Sequence, residues 1–194
     1  MKNKITTKII AGKYKGKLLE LPSLDTTRSS KSILKESFFN VLQFDIIDSI
    51  FIEAFGGSGS IGLEALSRGA KDIYFCEIDR KSYRILQNNC ESVDATSCTT
   101  MYGDTFEKLP LMLEQLKNRD EEIIVYIDPP FDFRDGMDEI YEKTFDLVSN
   151  ITNENVVLVT FEHMTGLEMP EQLGKFTKFK DKKFGKSSLT YYHV

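Results

Sequence analysis

The chain has 194 residues, 41% of them hydrophobic and 28% charged, with a formal net charge of −5, which allows one substantial core with a small appendage. No apolar run is long enough to span a membrane, and Met1-Lys2-Asn3-Lys4-Ile5 leads into polar residues instead of a signal-peptide core. Cys76, Cys90 and Cys98 have neither pairing nor metal-ligand spacing, and His163 and His193 stand alone, so a soluble cytoplasmic protein with reduced thiols and no bound metal is expected.

Charge is distributed unevenly. Residues 1–35 hold nine Lys or Arg against Glu20 and Asp25, and residues 175–194 hold six Lys, Lys183 among them, against Asp181. Two basic ends on an acidic body suit a polyanion gripped at one rim through its phosphates. The competing reading is a pair of solvated termini. The first elements favour the former: Lys8-Ile9-Ile10-Ala11 and Lys17-Leu18-Leu19-Glu20-Leu21, ending at Pro22, predict a small β-hairpin. Within it Lys13, Lys15 and Lys17 alternate with Tyr14, Gly16 and Leu18 at a strand period. Ser29 or Ser30, after Arg28, is expected to cap a helix with the apolar stripe Ile33, Leu34, Phe38, Val41 and Leu42, and Phe39 off the main face.

From about residue 49 strands and helices alternate. Strands are expected near 50–54, 73–76, 98–102 and 123–127, separated by helices near 60–68, 80–91 and 105–117. A helix from Met137 to Val148 then leads to a strand over 156–161. Residues 176–179 and 188–192 alternate enough to form a closing antiparallel hairpin. The expected fold class is α/β, a doubly wound, mostly parallel sheet over residues 31–194 with an N-terminal hairpin extension over residues 1–30.

Four segments carry chemistry. Glu53-Ala54-Phe55-Gly56-Gly57-Ser58-Gly59-Ser60-Ile61-Gly62 follows the first parallel strand and precedes a helix; such a glycine-rich turn lets backbone approach a ligand at the strand ends. Gly57, Gly59 and Gly62 also satisfy a bare dinucleotide pattern. The acidic Glu53 would repel a pyrophosphate and attract an ammonium, which favours S-adenosylmethionine, with Phe55, Gly56, Gly57, Ser58 and Gly59 beside it. The next strand ends in Glu77, the place for a carboxylate that accepts two ribose hydroxyls; such an acid also serves NAD sites, so it indicates adenosine without choosing between the two, and Ile78 is suited to pack on adenine. After Gly103, Asp104 has two readings: an acceptor for the adenine amine alongside Thr105, or the N-cap of the following helix.

The fourth segment, Asp128-Pro129-Pro130-Phe131, follows the apolar run Ile123-Ile124-Val125-Tyr126-Ile127. An exocyclic amine on a nucleobase is a poor nucleophile because its lone pair is delocalised into the ring. The Asp128 carboxylate and the Pro129 carbonyl would accept its hydrogens and favour pyramidalisation as it attacks a methyl donor. Pro129 and Pro130 stiffen the loop, and Phe131 would offer a stacking face. Glu53, Glu77, Asp104 and Asp128 thus follow four consecutive predicted strands at one sheet edge.

These motifs, together with Ile9-Ile10-Ala11-Gly12-Lys13-Tyr14-Lys15-Gly16-Lys17 and Gly62-Leu63-Glu64-Ala65-Leu66-Ser67-Arg68-Gly69-Ala70, resemble the RsmD family of bacterial methyltransferases over nearly the whole chain. The resemblance implies a Rossmann-like class I S-adenosylmethionine-dependent methyltransferase fold with seven strands. It implies methylation of the N2 amine of a guanine in 16S rRNA, presented in the small ribosomal subunit or its late precursor. It also implies an N-terminal extension that touches RNA, which points to Lys13, Lys15, Lys17 and Arg28. A monomer is expected. The sequence departs from the family pattern at Arg28-Ser29-Ser30 and Ser32-Ile33, where Arg-Pro-Thr and Asp-Arg are usual, and has Glu53 for aspartate and Gly56 for alanine. Two alternatives are a DNA adenine-N6 methyltransferase using the same tetrapeptide, and a non-catalytic RNA-binding assembly factor.

Overall fold

Four strands rich in apolar residues, flanked by a more polar fifth, dictate the centre of the molecule. In the computed structural model, which describes residues 5–22, 28–130 and 137–194, β3 (Ile50–Glu53), β4 (Asp72–Glu77), β5 (Cys98–Tyr102) and β6 (Ile123–Ile127) pair in parallel, and β7 (Val156–Met164) adds in parallel to β6. All five residues of β6 are buried, the pattern of a central strand covered on both faces. β10 (Ser187–His193) and β9 (Phe176–Phe184) follow antiparallel, giving the order β5-β4-β3-β6-β7-β10-β9. A two-residue strand, β8 (Gln172–Leu173), pairs with β9 and makes the sheet eight-stranded instead of seven. β9 runs well past the expected 176–179, because Lys180, Lys182 and Lys183 mask its alternation on both faces, with Lys182 reaching across to donate to the Ser37 hydroxyl at 2.9 Å.

Helices cover both faces. α1 (Arg28–Val41), α2 (Ser60–Ser67) and α3 (Arg80–Val93) enclose one core with Phe51, Phe75, Ile124, Tyr126 and Tyr191, while α4 (Thr105–Gln115) and α5 (Met137–Ser149) enclose the other with Ile52, Val125, Val159 and Phe161. The stripe expected on α1 needs correction: Ile33 is 60% exposed whereas Phe39 is 1% exposed, because Phe39 packs edge-on against Phe38 and under the Arg68 guanidinium. The helix already begins at Arg28, ahead of Ser29 and Ser30, so neither takes the expected cap position and the expected boundary at residue 30 falls within its first turn.

The hairpin forms as β1 (Thr6–Lys8) and β2 (Leu18–Glu20), antiparallel and separate from the large sheet. It is docked closely: Ile9 and Leu19 are fully buried in the α1–α3 core. The clamp is the Leu63–Ala70 segment. Glu64, fully buried, accepts from the Ile10 and Ala11 amides at 2.7 and 3.0 Å and from Arg68 at 2.8 Å, with the Lys35 ammonium at 3.4 Å. Ser67 donates to the Ala11 carbonyl and accepts from the Tyr14 amide. Gly12, at φ +84°, lies so close that a β-carbon there would sit 1.7 Å from the Ser67 carbonyl oxygen, so only glycine fits.

Candidate functional site

Parallel pairing decides where the acids lie. β3, β4, β5 and β6 run in one direction, so Glu53, Glu77, Asp104 and Asp128, at or just past their carboxyl ends, come to one edge of the sheet. β4 and β6 lie on opposite sides of β3. This is the topological switch point at which doubly wound sheets open a crevice.

The turn from β3 into α2 is shaped by its glycines. Gly57 and Gly59 have φ of +52° and +76°, the left-handed region that side chains avoid. Gly62 lets α2 settle on β4, since a β-carbon there would meet the Phe75 ring at 2.5 Å. The turn has no hydroxyl cap: Gly59 occupies that position, and Glu53 accepts instead from the Gly62 amide at 2.8 Å. A carboxylate at the positive end of a helix is favourable, but burial outweighs it and pushes the Glu53 carboxyl up to about 8, against the amides of Gly62 and Ile61 and the Lys35 charge. Ser58 is buried, and its carbonyl accepts from the Asn89 amide. Phe55 is half-buried, edge-on to Phe106.

Glu77 is held by two amides, one per oxygen: Gly57 at 2.7 Å and Asp79 at 2.6 Å. Each oxygen keeps a lone pair for a further donor. Partial burial raises its carboxyl above the usual range, against those two amides. Ile78 beside it is 62% exposed, a large apolar side chain turned outward next to a fixed carboxylate. Asp104 caps α4, accepting from the Phe106 amide at 3.0 Å; the cap reading is thus present, and its second oxygen has no bond to that amide. Thr105 is buried and donates to the Ala54 carbonyl, which fixes the β5–α4 connection to the β3 end.

Asp128 and the glycine turn meet in one cleft of about 200 Å³ beneath α1, lined by Glu53, Phe55, Gly56, Gly57, Ser58 and Asp128, with Lys31 and Lys35 on its roof. Asp128 is half-buried, Pro129 buried and Pro130 exposed; Phe131 lies outside the described residues. A further acid, Glu162 on β7, lines the same cleft. Sequence reasoning passed over it, although it follows an apolar run just as Glu53, Glu77 and Asp128 do. A larger cleft of about 500 Å³, between the far ends of α4 and α5, is lined by Leu109, Pro110, Leu113 and residues 150–155 and lies at the opposite sheet edge.

The basic residues divide. Lys13 and Lys15 lie in the turn joining β1 to β2 and Lys17 just past it, not on a strand as their alternation suggested, and the Lys13 amide donates to the Ser67 carbonyl at the end of α2. That end of α2 is about 12 Å from the glycine turn at its start, for eight residues at 1.5 Å each. Lys183 lies at the cleft end of the sheet, near the β9–β10 turn, where β9 ends level with the carboxyl end of β7 and β10 runs between them. The side chain of Arg28 lies outside the described ones. Among the described residues no group of His, Cys, Asp or Glu is arranged to hold a metal ion, and no helix is long and apolar enough to cross a membrane. His163 is buried against Thr190 while His193 is exposed, and all three cysteines are free thiols.

A family model described as "Conserved hypothetical protein 95" matches residues 7–193. The chain is 34% identical over 127 residues to Ribosomal RNA small subunit methyltransferase D of Haemophilus influenzae, a match spanning 65% of this chain and 64% of that protein. It is 29% identical over 163 residues to the protein of the same name from Escherichia coli K12, spanning 82% of this chain and 77% of the other. The solved structure named "Putative methyltransferase yhhF from Escherichia coli" superposes with a TM-score of 0.76 at 26% identity, over 97% of each chain.

Proposed function

Because the chain belongs to the conserved hypothetical protein 95 family, the RsmD family that its motifs resemble, we propose that it methylates the N2 amine of a guanine in 16S rRNA of the small ribosomal subunit, using S-adenosylmethionine. The observation that carries this reading is the shared cleft, in which the glycine turn and Asp128 face one another. When bound, S-adenosylmethionine supplies a methyl group on a sulfonium and leaves as a neutral thioether. The residues fit that group: Glu53 is an acid for its ammonium, the open face of Gly57 admits close approach, Glu77 is preset for two ribose hydroxyls, and Ile78 and Asp104 suit the adenine.

Asp128 and the Pro129 carbonyl do the chain's own chemical work. Each accepts one hydrogen of the target amine, which draws the nitrogen lone pair out of conjugation, and the Asp128 carboxylate takes the proton that the amine sheds. Phe131 would stack on the base. The rest of the rate comes from holding the amine in line with the donor. Lys183 and the cleft lysine Lys31 face the phosphates near the target, and Lys13, Lys15, Lys17 and Arg28 add a second grip on the rRNA. The enzyme acts as a cytoplasmic monomer.

The test is transfer of labelled methyl to small subunits from a strain lacking the gene, with duplex DNA alongside, followed by nucleoside analysis. N2-methylguanosine on the subunits is expected. Label confined to N6-methyladenine, or no label despite measured cofactor binding, would overturn the reading.

A further inference from the structure

Glu162 is 3% exposed, and its two oxygens are treated differently. Oε2 accepts from the Tyr126 hydroxyl at 2.5 Å, while Oε1 is buried and accepts no hydrogen bond among the described residues. A buried carboxylate oxygen without a donor is costly and calls for an explanation. The cleft lined by Glu162 is the one that holds Asp128 and the glycine turn. β6 and β7 pair with Ile127 opposite Phe161, so Asp128 and Glu162 are the next residues on adjacent strands, about 4.8 Å apart at the backbone. Tyr126 itself cannot wander, because Phe38 packs edge-on to its ring at 4.9 Å and Phe51 stacks at 6.4 Å.

We infer that Glu162 is the guanine-reading residue of this site, its Oε1 accepting the N1–H of the target base while Asp128 takes the neighbouring N2 amine. The inference rests on the methyl-transfer reading above and adds what selects the base. Guanine presents N1–H and the N2 amine side by side, two adjacent donors, and two carboxylates on neighbouring strands that line one cleft can converge on them. Adenine presents a lone pair at N1, which would face the Glu162 lone pairs and leave both unpaired, so the same cleft rejects it. Burial raises the Glu162 carboxyl above the usual range, against the Tyr126 hydrogen bond and the Lys31 charge; a donor arriving with the substrate favours the ionised form. Tyr126 acts through Glu162 as a positioning residue.

The experiment uses small subunits reassembled around 16S rRNA that carries either guanine or 2,6-diaminopurine at the methylated position. Both bases have the 2-amine; only guanine has N1–H. The intact enzyme should prefer guanine by at least about 100-fold in kcat/KM. Glu162→Gln, whose amide both donates and accepts, should bring that ratio to within about tenfold of unity and raise the rate on diaminopurine, with cofactor affinity unchanged. Tyr126→Phe keeps the carboxylate but frees it to turn, and should lower the preference roughly tenfold should the first variant not fold. An unchanged ratio in either variant overturns the inference while leaving the methyl-transfer reading intact. Absence of N2-methylguanosine from the intact enzyme's guanine subunits overturns both.

Discussion

The side-chain amide of Asn89 donates to the Ser58 carbonyl at 2.8 Å, and the same side chain exchanges two bonds of 2.9 Å with the backbone of Glu20. One buried residue on α3 therefore ties the glycine turn to the second strand of the N-terminal hairpin. Asn89→Ala leaves the Ser58 and Glu20 groups without it and is expected to cost about 1–3 kcal/mol. Cofactor affinity should fall severalfold with it. Urea unfolding and calorimetric titration with S-adenosylmethionine check the two effects; full affinity in a destabilised variant would mean the turn holds its shape without the hairpin.

Glu77 and Asp128 sit at the same sheet edge but should fail in different ways. Glu77→Ala removes the carboxylate poised by the Gly57 and Asp79 amides and is expected to weaken cofactor binding at least tenfold, the scale of one broken charge-assisted pair. Asp128→Ala should abolish turnover and leave cofactor affinity within about twofold. Direct binding measurements beside single-turnover rates separate them, and equal loss of cofactor affinity in both variants would undo this division of roles.

The Glu53 carboxyl, pushed up to about 8 by burial, is expected to make cofactor affinity depend on pH. Below that value the free protein holds a proton on Glu53, and only the ionised form pairs with an ammonium. Affinity should therefore rise from pH 6 toward pH 8, approaching tenfold per unit, and a proton should be released on binding. The stability term has the opposite sense: a raised folded value stabilises fully below the ordinary glutamate range and is lost as pH rises through about 8. Titrations in buffers of different ionisation enthalpy count the proton, and Glu53→Gln should abolish the release.

Glu64 is buried with Lys35, Arg68 and two hairpin amides around it. Removing it leaves two amide donors unanswered and the buried Lys35 ammonium without its carboxylate, so Glu64→Ala should cost about 3–5 kcal/mol. Hydrogen exchange at Ile10 and Ala11 should accelerate well before the central strand β6 is affected. Simultaneous acceleration everywhere would mean the hairpin and the sheet unfold as one unit.

Lys13, Lys15 and Lys17 lie a helix length from the cleft, and Lys183 lies on the cleft edge. Replacing the three by alanine should raise KM for small subunits and flatten its salt dependence by roughly 0.7–0.9 for each phosphate no longer neutralised, with kcat unchanged. Lys183→Ala should lower the slope by the equivalent of about one phosphate. A slope equal to that of the unaltered protein in the triple variant would assign those lysines to solvent.

Much of this site was legible in the sequence because its determinants are local. A strand end is marked by the few residues around it, so Glu53, Glu77 and Asp128 could each be identified from an apolar run and the turn after it, and Asp104 from the Gly103 turn; alternation of strands and helices was enough to bring them to one edge. The glycine turn and the Asp128-Pro129-Pro130 corner likewise carry their backbone demands within themselves. Tertiary structure alone decided what depends on neighbours distant along the chain. Glu162 meets Asp128 only because β7 pairs with β6, and its unpaired oxygen exists only once Tyr126 has claimed the other. Phe39 is buried because Phe38 and Arg68 close around it, and Lys13, Lys15 and Lys17 left their apparent strand because Gly12 and Ser67 bend the hairpin there into a turn. Periodicity records which face of an element is apolar; what each face packs against is set by close packing and hydrogen bonds between segments whose separation along the chain leaves no local trace.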